Sequence, residues 1–104
     1  MEDQKKGNVQ LNIELPEEIA EGIYSNLAII SHSNSEFVLD FVRIMPNVPK
    51  AKVKARLILT PEHAKRLMRA LRENIQKFEA QYGDISDQEN PPFPPMSFTP
   101  KAQA

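Results

Sequence analysis

The stretch "LILTPEHAKRLMRALRENIQKFEAQYG", Leu57 to Gly83, decides the fold because its hydrophobic period changes in the middle. From Thr60 onward the signals are those of a helix. Thr60 is a good N-cap, Pro61 suits the first helical position, and Glu62 suits the positive end of the helix dipole. Apolar residues then fall at Ala64, Leu67, Met68, Leu71, Ile75, Phe78 and Tyr82, and Gly83 supplies the expected C-terminal glycine. The spacing predicts a helix over Pro61 to Tyr82, about 33 Å long at about 1.5 Å per residue. From Ala64 the steps to Met68, Leu71, Ile75, Phe78 and Tyr82 are 4, 3, 4, 3 and 4, three heptads of a coiled-coil-like seam. Leu67 widens that seam toward the stripe a helix needs to lie on a sheet. Packing on its own sheet is the favoured reading, and contact with a partner helix is compatible with it.

Upstream the period is two. "KVKARLIL" (Lys52 to Leu59) reads as a strand with Val53, Ala55, Leu57 and Leu59 on one face and Lys52, Lys54, Arg56 and Ile58 on the other. "EFVLDFVRIM" (Glu36 to Met45) places Phe37, Leu39 and Phe41 opposite a mixed face of Glu36, Val38, Asp40, Val42 and Ile44. "IYSNLAIISH" (Ile23 to His32) is a further strand, joined to the previous one through the turn cluster Ser33 to Ser35. The two prolines in "PNVPK" (Pro46 to Lys50) make a loop, since proline cannot sit in a central strand. Near the start, "VQLNIEL" alternates strictly, with Val9, Leu11, Ile13 and Leu15 on one face, and predicts a first, half-buried strand ended by Pro16; "EEIAEG" after it predicts an acidic turn. The expected fold is α+β: an antiparallel sheet of about four strands with one long C-terminal helix packed on it. Residues 1–8 are expected to be a flexible N-terminus, 9–85 one domain, and 86–104 a disordered tail. The segment after Gly83 has no periodicity, holds five of the nine prolines, and predicts polyproline II character around Pro91 to Pro95.

The chain of 104 residues is one small domain in size, and its 40% hydrophobic and 26% charged residues are ordinary for a soluble protein. It has no cysteine, which removes disulfides, thiolate metal sites and cysteine nucleophiles together. No apolar run reaches the ~18 residues of a membrane span. "MEDQKKGNVQ" has no hydrophobic stretch behind its lysines, so no secretory signal is expected there, and a cytoplasmic location is. The net charge of −1 hides a polarity: residues 1–40 carry a net −6 and residues 50–77 a net +7. Such asymmetry marks either a surface for nucleic acid or an acidic partner, or two halves that pair with each other.

The stretches "YSNLAIISHSNSEFVLDFVRIMP", "ARLILTPEHAKRLMRAL" and "NIQKFEAQYGDI" resemble the bacterial family called domain of unknown function 3467, of the Bacteroides and Flavobacterium group, over roughly Val9 to Ile85. The likeness rests on a Tyr-x-Asn segment (Tyr24, Asn26), a Glu-Phe-x-Leu-Asp-Phe strand (Glu36 to Phe41), an Arg-x-x-x-Thr-Pro helix start (Arg56, Thr60, Pro61) and a Phe-Glu-x-x-x-Gly helix end (Phe78, Glu79, Gly83). Members of the family often sit beside the gene for the β′ subunit of RNA polymerase, so the resemblance implies an accessory role linked to transcription. It carries over no catalytic residue, because the family defines none.

The candidate sites point the same way. His63 beside Glu62 suggests a general base or a metal ligand, but a His-Glu-x-x-His motif would need histidine at position 67, which is Leu67. His32 lies at a strand end with no ligand neighbour in sequence. Glu36 and Asp40 share a strand face, and paired carboxylates can do acid–base work. A hairpin through Asn47 would instead set that acidic face against Lys52, Lys54 and Arg56, as an ordinary cross-strand charge pairing. Glycine-rich phosphate loops and nucleophile elbows are absent, so no enzyme, cofactor or metal is expected. Lys65, Arg69 and Arg72 share an exposed helical stripe with Arg66 nearby. With Lys52, Lys54 and Arg56 they form the candidate surface for a protein partner, or less favourably for nucleic acid. Ion pairs such as Arg69 with Glu73 and Glu62 with Arg66 are the ordinary alternative. The tail "PPFPPMSFTP", with Phe93, Met96 and Phe98, could fill a groove on another protein or do nothing. A single helix leaves one sheet face uncovered. Val38, Val42, Ile44 and Ile58 on that face predict self-association as a homodimer, or burial against a larger protein such as RNA polymerase. Together these readings predict a small non-catalytic cytoplasmic interaction protein.

Overall fold

The computed structural model describes residues 9–87. The element order is α1 (Glu17–Ala20), β1 (Leu27–His32), β2 (Phe37–Val42), β3 (Val53–Leu59) and α2 (Pro61–Tyr82). The chain divides into two compact units, one ending at Ala64 and one beginning at Lys65.

In the first unit the strands form an antiparallel sheet in the order β1-β2-β3, so β2 is central. Its two turns follow from local chemistry. At the β1–β2 turn the Ser33 N–H donates to the Glu36 carbonyl (2.9 Å), and the Ser33 hydroxyl accepts the N–H groups of Ser35 (3.2 Å) and Glu36 (3.3 Å). At the β2–β3 connection the Val48 N–H reaches the Met45 carbonyl (3.3 Å), and Asn47 takes φ 64 behind Pro46. That is a type II turn, which favours proline at its second position and glycine or asparagine at its third.

Register places Ala28, Ile30, Phe37, Leu39, Phe41, Ala55, Leu57 and Leu59 on one face of the sheet. The other holds Leu27, Ile29, Val38, Asp40, Val42, Arg56 and Ile58. Leu39 and Val42, on opposite faces of the central strand, are its buried apolar residues. One facing departs from expectation. The register shifts at Phe41/Val42, so Phe41 faces Ala55 but Val42 faces Val53, and Lys54 is left as the extra residue of a β-bulge. Strict alternation cannot foresee a bulge, which is why Val53 was expected on the face of Ala55.

The expected fourth strand is absent among the described residues. Val9–Leu15 makes no ladder, and Val9, Leu11, Ile13 and Leu15 are all exposed. Alternation states which side of a strand could be buried; pairing needs an adjacent edge. A neighbouring hairpin would need a tight loop. Here Pro16, the helical turn α1, Gly22 (φ 82) and the segment before β1 intervene. The acidic turn is realised as α1, a single turn with Glu17 and Glu18 at its positive end.

The sheet is closed beside β1 by side chains. Asn26 donates through Nδ2 to the Ile44 carbonyl (3.0 Å) and accepts the Ile44 N–H on Oδ1 (2.8 Å), while its own N–H reaches the Val42 carbonyl (3.0 Å). The amide thus continues the ladder one step past Leu27. The Ser25 hydroxyl lies 3.1 Å from both the Leu27 and the Val42 carbonyls.

Helix α2 has the expected bounds. The Thr60 hydroxyl accepts the His63 N–H (3.2 Å), and the Ala64 N–H reaches the Thr60 carbonyl (2.9 Å). At the other end Gly83 takes φ 99, its N–H donates to the Glu79 carbonyl (3.0 Å), and the Ile85 N–H donates to Glu79 Oε2 (2.9 Å). A side chain would be strained at that φ, so glycine is required there. Residues 88–104, with the proline-rich tail, lie outside the described residues, as do residues 1–8.

Asn26→Ala should lower stability by about 1–2 kcal/mol, the net worth of two hydrogen bonds. The urea midpoint measures it; an unchanged midpoint would mean that the Asn26 clamp contributes nothing.

Candidate functional site

The most constrained polar group in the sheet is Asp40, in the middle of the central strand. Its Cα partners are Ile29 on one side and Arg56 on the other. A carboxylate there loses water on both flanks, and its side chain is only 5% exposed. Arg56 meets it with two parallel bonds, Nε to Oδ1 (2.6 Å) and Nη2 to Oδ2 (2.8 Å). This fork uses both oxygens of the carboxylate, the strong bidentate form of the pair. The hydrogen bonds from Arg56 hold the Asp40 carboxyl below the usual carboxylate range, against the opposing effect of burial and with help from the guanidinium charge.

The cross-strand pairing expected for the acidic face is therefore present at Asp40 and Arg56. It also takes Asp40 out of consideration as an acid or base, because both of its oxygens are occupied by a permanent cation. Glu36 precedes β2 and closes the Ser33 turn through its backbone. His63 lies in the first turn of α2, exposed, with its N–H in the Thr60 cap. His32 stacks on Phe37, with ring centroids 5.3 Å apart and planes at 26°. No group of three or more His, Asp or Glu side chains placed to hold a metal ion occurs among the described residues.

The basic residues divide. Arg56 is committed to Asp40. Lys52 lies before β3 and Lys54 at its bulge, both exposed. Lys65, Arg66, Arg69 and Arg72 are exposed along the first half of α2. On the sheet, Val42 is buried, Val38 and Ile44 are half-buried, and Ile58 is 59% exposed. Of the four residues expected to drive self-association, Ile58 is thus the open one. Further apolar exposure lies elsewhere, on Ile30 and Leu57 of the opposite sheet face and along α2 at Met68, Leu71, Phe78 and Tyr82. Sequence reasoning missed Asn26 and Ser25 as structural polar groups. The signal was present in the Tyr-x-Asn segment, but a clamp to Ile44 across the sheet cannot be read from local spacing.

The family model described as "Protein of unknown function (DUF3467)" matches residues 1–87, and the chain belongs to that family. No curated protein and no solved structure matches the chain. The residues that carry the family likeness have structural partners here. Asn26 clamps Ile44, Asp40 grips Arg56, Thr60 caps α2, and Glu79 and Gly83 close its end. Among the described residues, no helix is long and apolar enough to cross a membrane.

The depressed Asp40 pKa fixes the sign of a pH dependence. Its stabilisation is complete above the unfolded value, about 3.9, and is lost as pH falls through the lower folded value. Asp40→Asn should therefore lower the urea midpoint relative to the parent by a constant amount above about pH 5, the difference shrinking toward acid. A difference that is flat into the acid range would show that the ion pair contributes nothing beyond its shape.

Proposed function

We propose that this chain is a small non-catalytic interaction protein of the cytoplasm, an accessory of the transcription machinery that binds protein through exposed basic residues. One observation carries the reading: the polar residues of the family pattern are spent on holding the fold, while Lys65, Arg66, Arg69 and Arg72 stand exposed on one helix. A catalytic protein needs polar groups left available to a substrate. Here the buried carboxylate is saturated by Arg56, and His32 is stacked on Phe37. The link to RNA polymerase comes from the family resemblance and not from the geometry. Lys52 and Lys54 extend the basic character of the chain beyond the helix.

The second reading is a nucleic-acid-binding module using the same basic residues, supported by their clustering on a helix face that could track phosphates. Against it, Phe37, one of the few aromatic rings of the sheet that could stack on bases, lies against His32.

A tagged chain recovered from its native extract after nuclease treatment should retain RNA polymerase subunits, and Arg66→Glu with Arg69→Glu should lose them. Retention of nucleic acid before nuclease treatment and of no protein after it would replace this proposal by the second reading. That binding should then fall steeply with salt.

A further inference from the structure

Helix α2 exposes an apolar seam. Met68, Leu71, Phe78 and Tyr82 are 48–68% exposed, Ile75 is 39% exposed, and no residue of the helix is buried. In proteins most of a helix's stability comes from covering its apolar face. The question is what covers it.

We propose that α2 pairs with α2 of a second copy of this chain, antiparallel, about a two-fold axis passing beside Glu73. The seam is self-complementary in that direction. Ala64 faces Tyr82 of the other copy, Met68 faces Phe78, and Leu71 faces Ile75, and each layer recurs on the other side of the axis. Each layer joins unlike side chains. The smallest residue meets the largest, and a flexible thioether meets an aromatic ring, a favourable contact. A parallel pair would set Ala64 on Ala64 at one end, leaving a void, and Tyr82 on Tyr82 at the other.

Charge selects the same direction. The half of α2 from Pro61 to Arg72 carries a net +3, and the half from Glu73 to Tyr82 a net −1. Antiparallel pairing sets each basic half against an acidic one and opposes the two helix dipoles. Beside the seam it places Lys65 against Glu79 of the other copy, twice by symmetry. A parallel pair would set like halves together, with Arg72 beside Leu67 and Glu79 beside Asn74. An interface that maps onto itself under a two-fold is what a closed homodimer requires. Arg72 is the one mismatch, since it meets its own copy at the axis, and it makes the register testable. Lys65 and Arg72 of the basic set border the seam, whereas Arg66 and Arg69, the two residues replaced in the test of the proposed function, lie off it.

Because the chain has no cysteine, crosslinking can read the register directly. Under mild oxidation, a mixture of Ala64→Cys and Tyr82→Cys chains should give the mixed disulfide dimer, and neither chain alone should crosslink. In sedimentation equilibrium the full-length parent should dimerise. Leu71→Glu, at a position 57% exposed, should weaken the dimer by at least about tenfold. Arg72→Gln should tighten it. Self-crosslinking of Ala64→Cys would overturn the antiparallel register. A parent that sediments as a monomer, or a dimer indifferent to Leu71→Glu, would overturn the proposal, the seam then being covered by other residues of the same chain or left open.

Discussion

Asp40 sits in the central strand of the sheet with a neighbour on each side, where an ionised carboxylate without a partner would be costly. The fork of Arg56 removes that cost, and it can do so in one register only. A slip of β3 by one residue would carry Arg56 to the other face and leave Asp40 facing Ala55 or Leu57. The pair therefore selects a pairing as well as holding it. The same register brings Phe37 opposite Leu59 and Leu39 opposite Leu57. The bulge at Lys54 comes just beyond it, where the alignment no longer matters to the ion pair.

The sheet so fixed is thin. Leu39 and Val42 are the apolar residues it buries, and large side chains stay open on Val9–Leu15, on the Ile30 face and on α2. A chain of this size has little apolar surface to spare for its own core. Its local elements are held by caps and clamps: Thr60 and Gly83 on α2, Asn26 and Ser25 beside β1, and Ser33 and Asn47 at the turns. Such devices define where elements begin and end without covering their apolar faces. Those open faces are what the proposed associations would cover.

The candidate site was legible in part. The opposition of Asp40 to the basic strand followed from alternation and one hairpin. Which of Lys52, Lys54 and Arg56 would face it depended on the register of β3 against β2, and a two-residue period gives the face of a residue but not its partner. The basic stripe of α2 followed directly from helical spacing. The openness of Ile58 and the burial of Val42 did not, because both lie on the same face and differ only in position: Val42 is on the central strand, Ile58 on the edge.

By itself the sequence determined the elements whose causes lie within a turn or two of chain. Those are the limits of α2 from Thr60 and Gly83, the hairpin at Ser33, the turn at Pro46–Asn47, and the faces of β2. Tertiary structure alone decided whatever needed a distant partner: that Val9–Leu15 forms no ladder despite perfect alternation, that Asn26 completes the sheet at Ile44, and that Arg56 is the residue gripping Asp40. Capping and periodicity are short-range effects, carried by side chains next to the backbone they serve. Strand pairing depends on which edges the rest of the chain leaves within reach, and no local pattern records that.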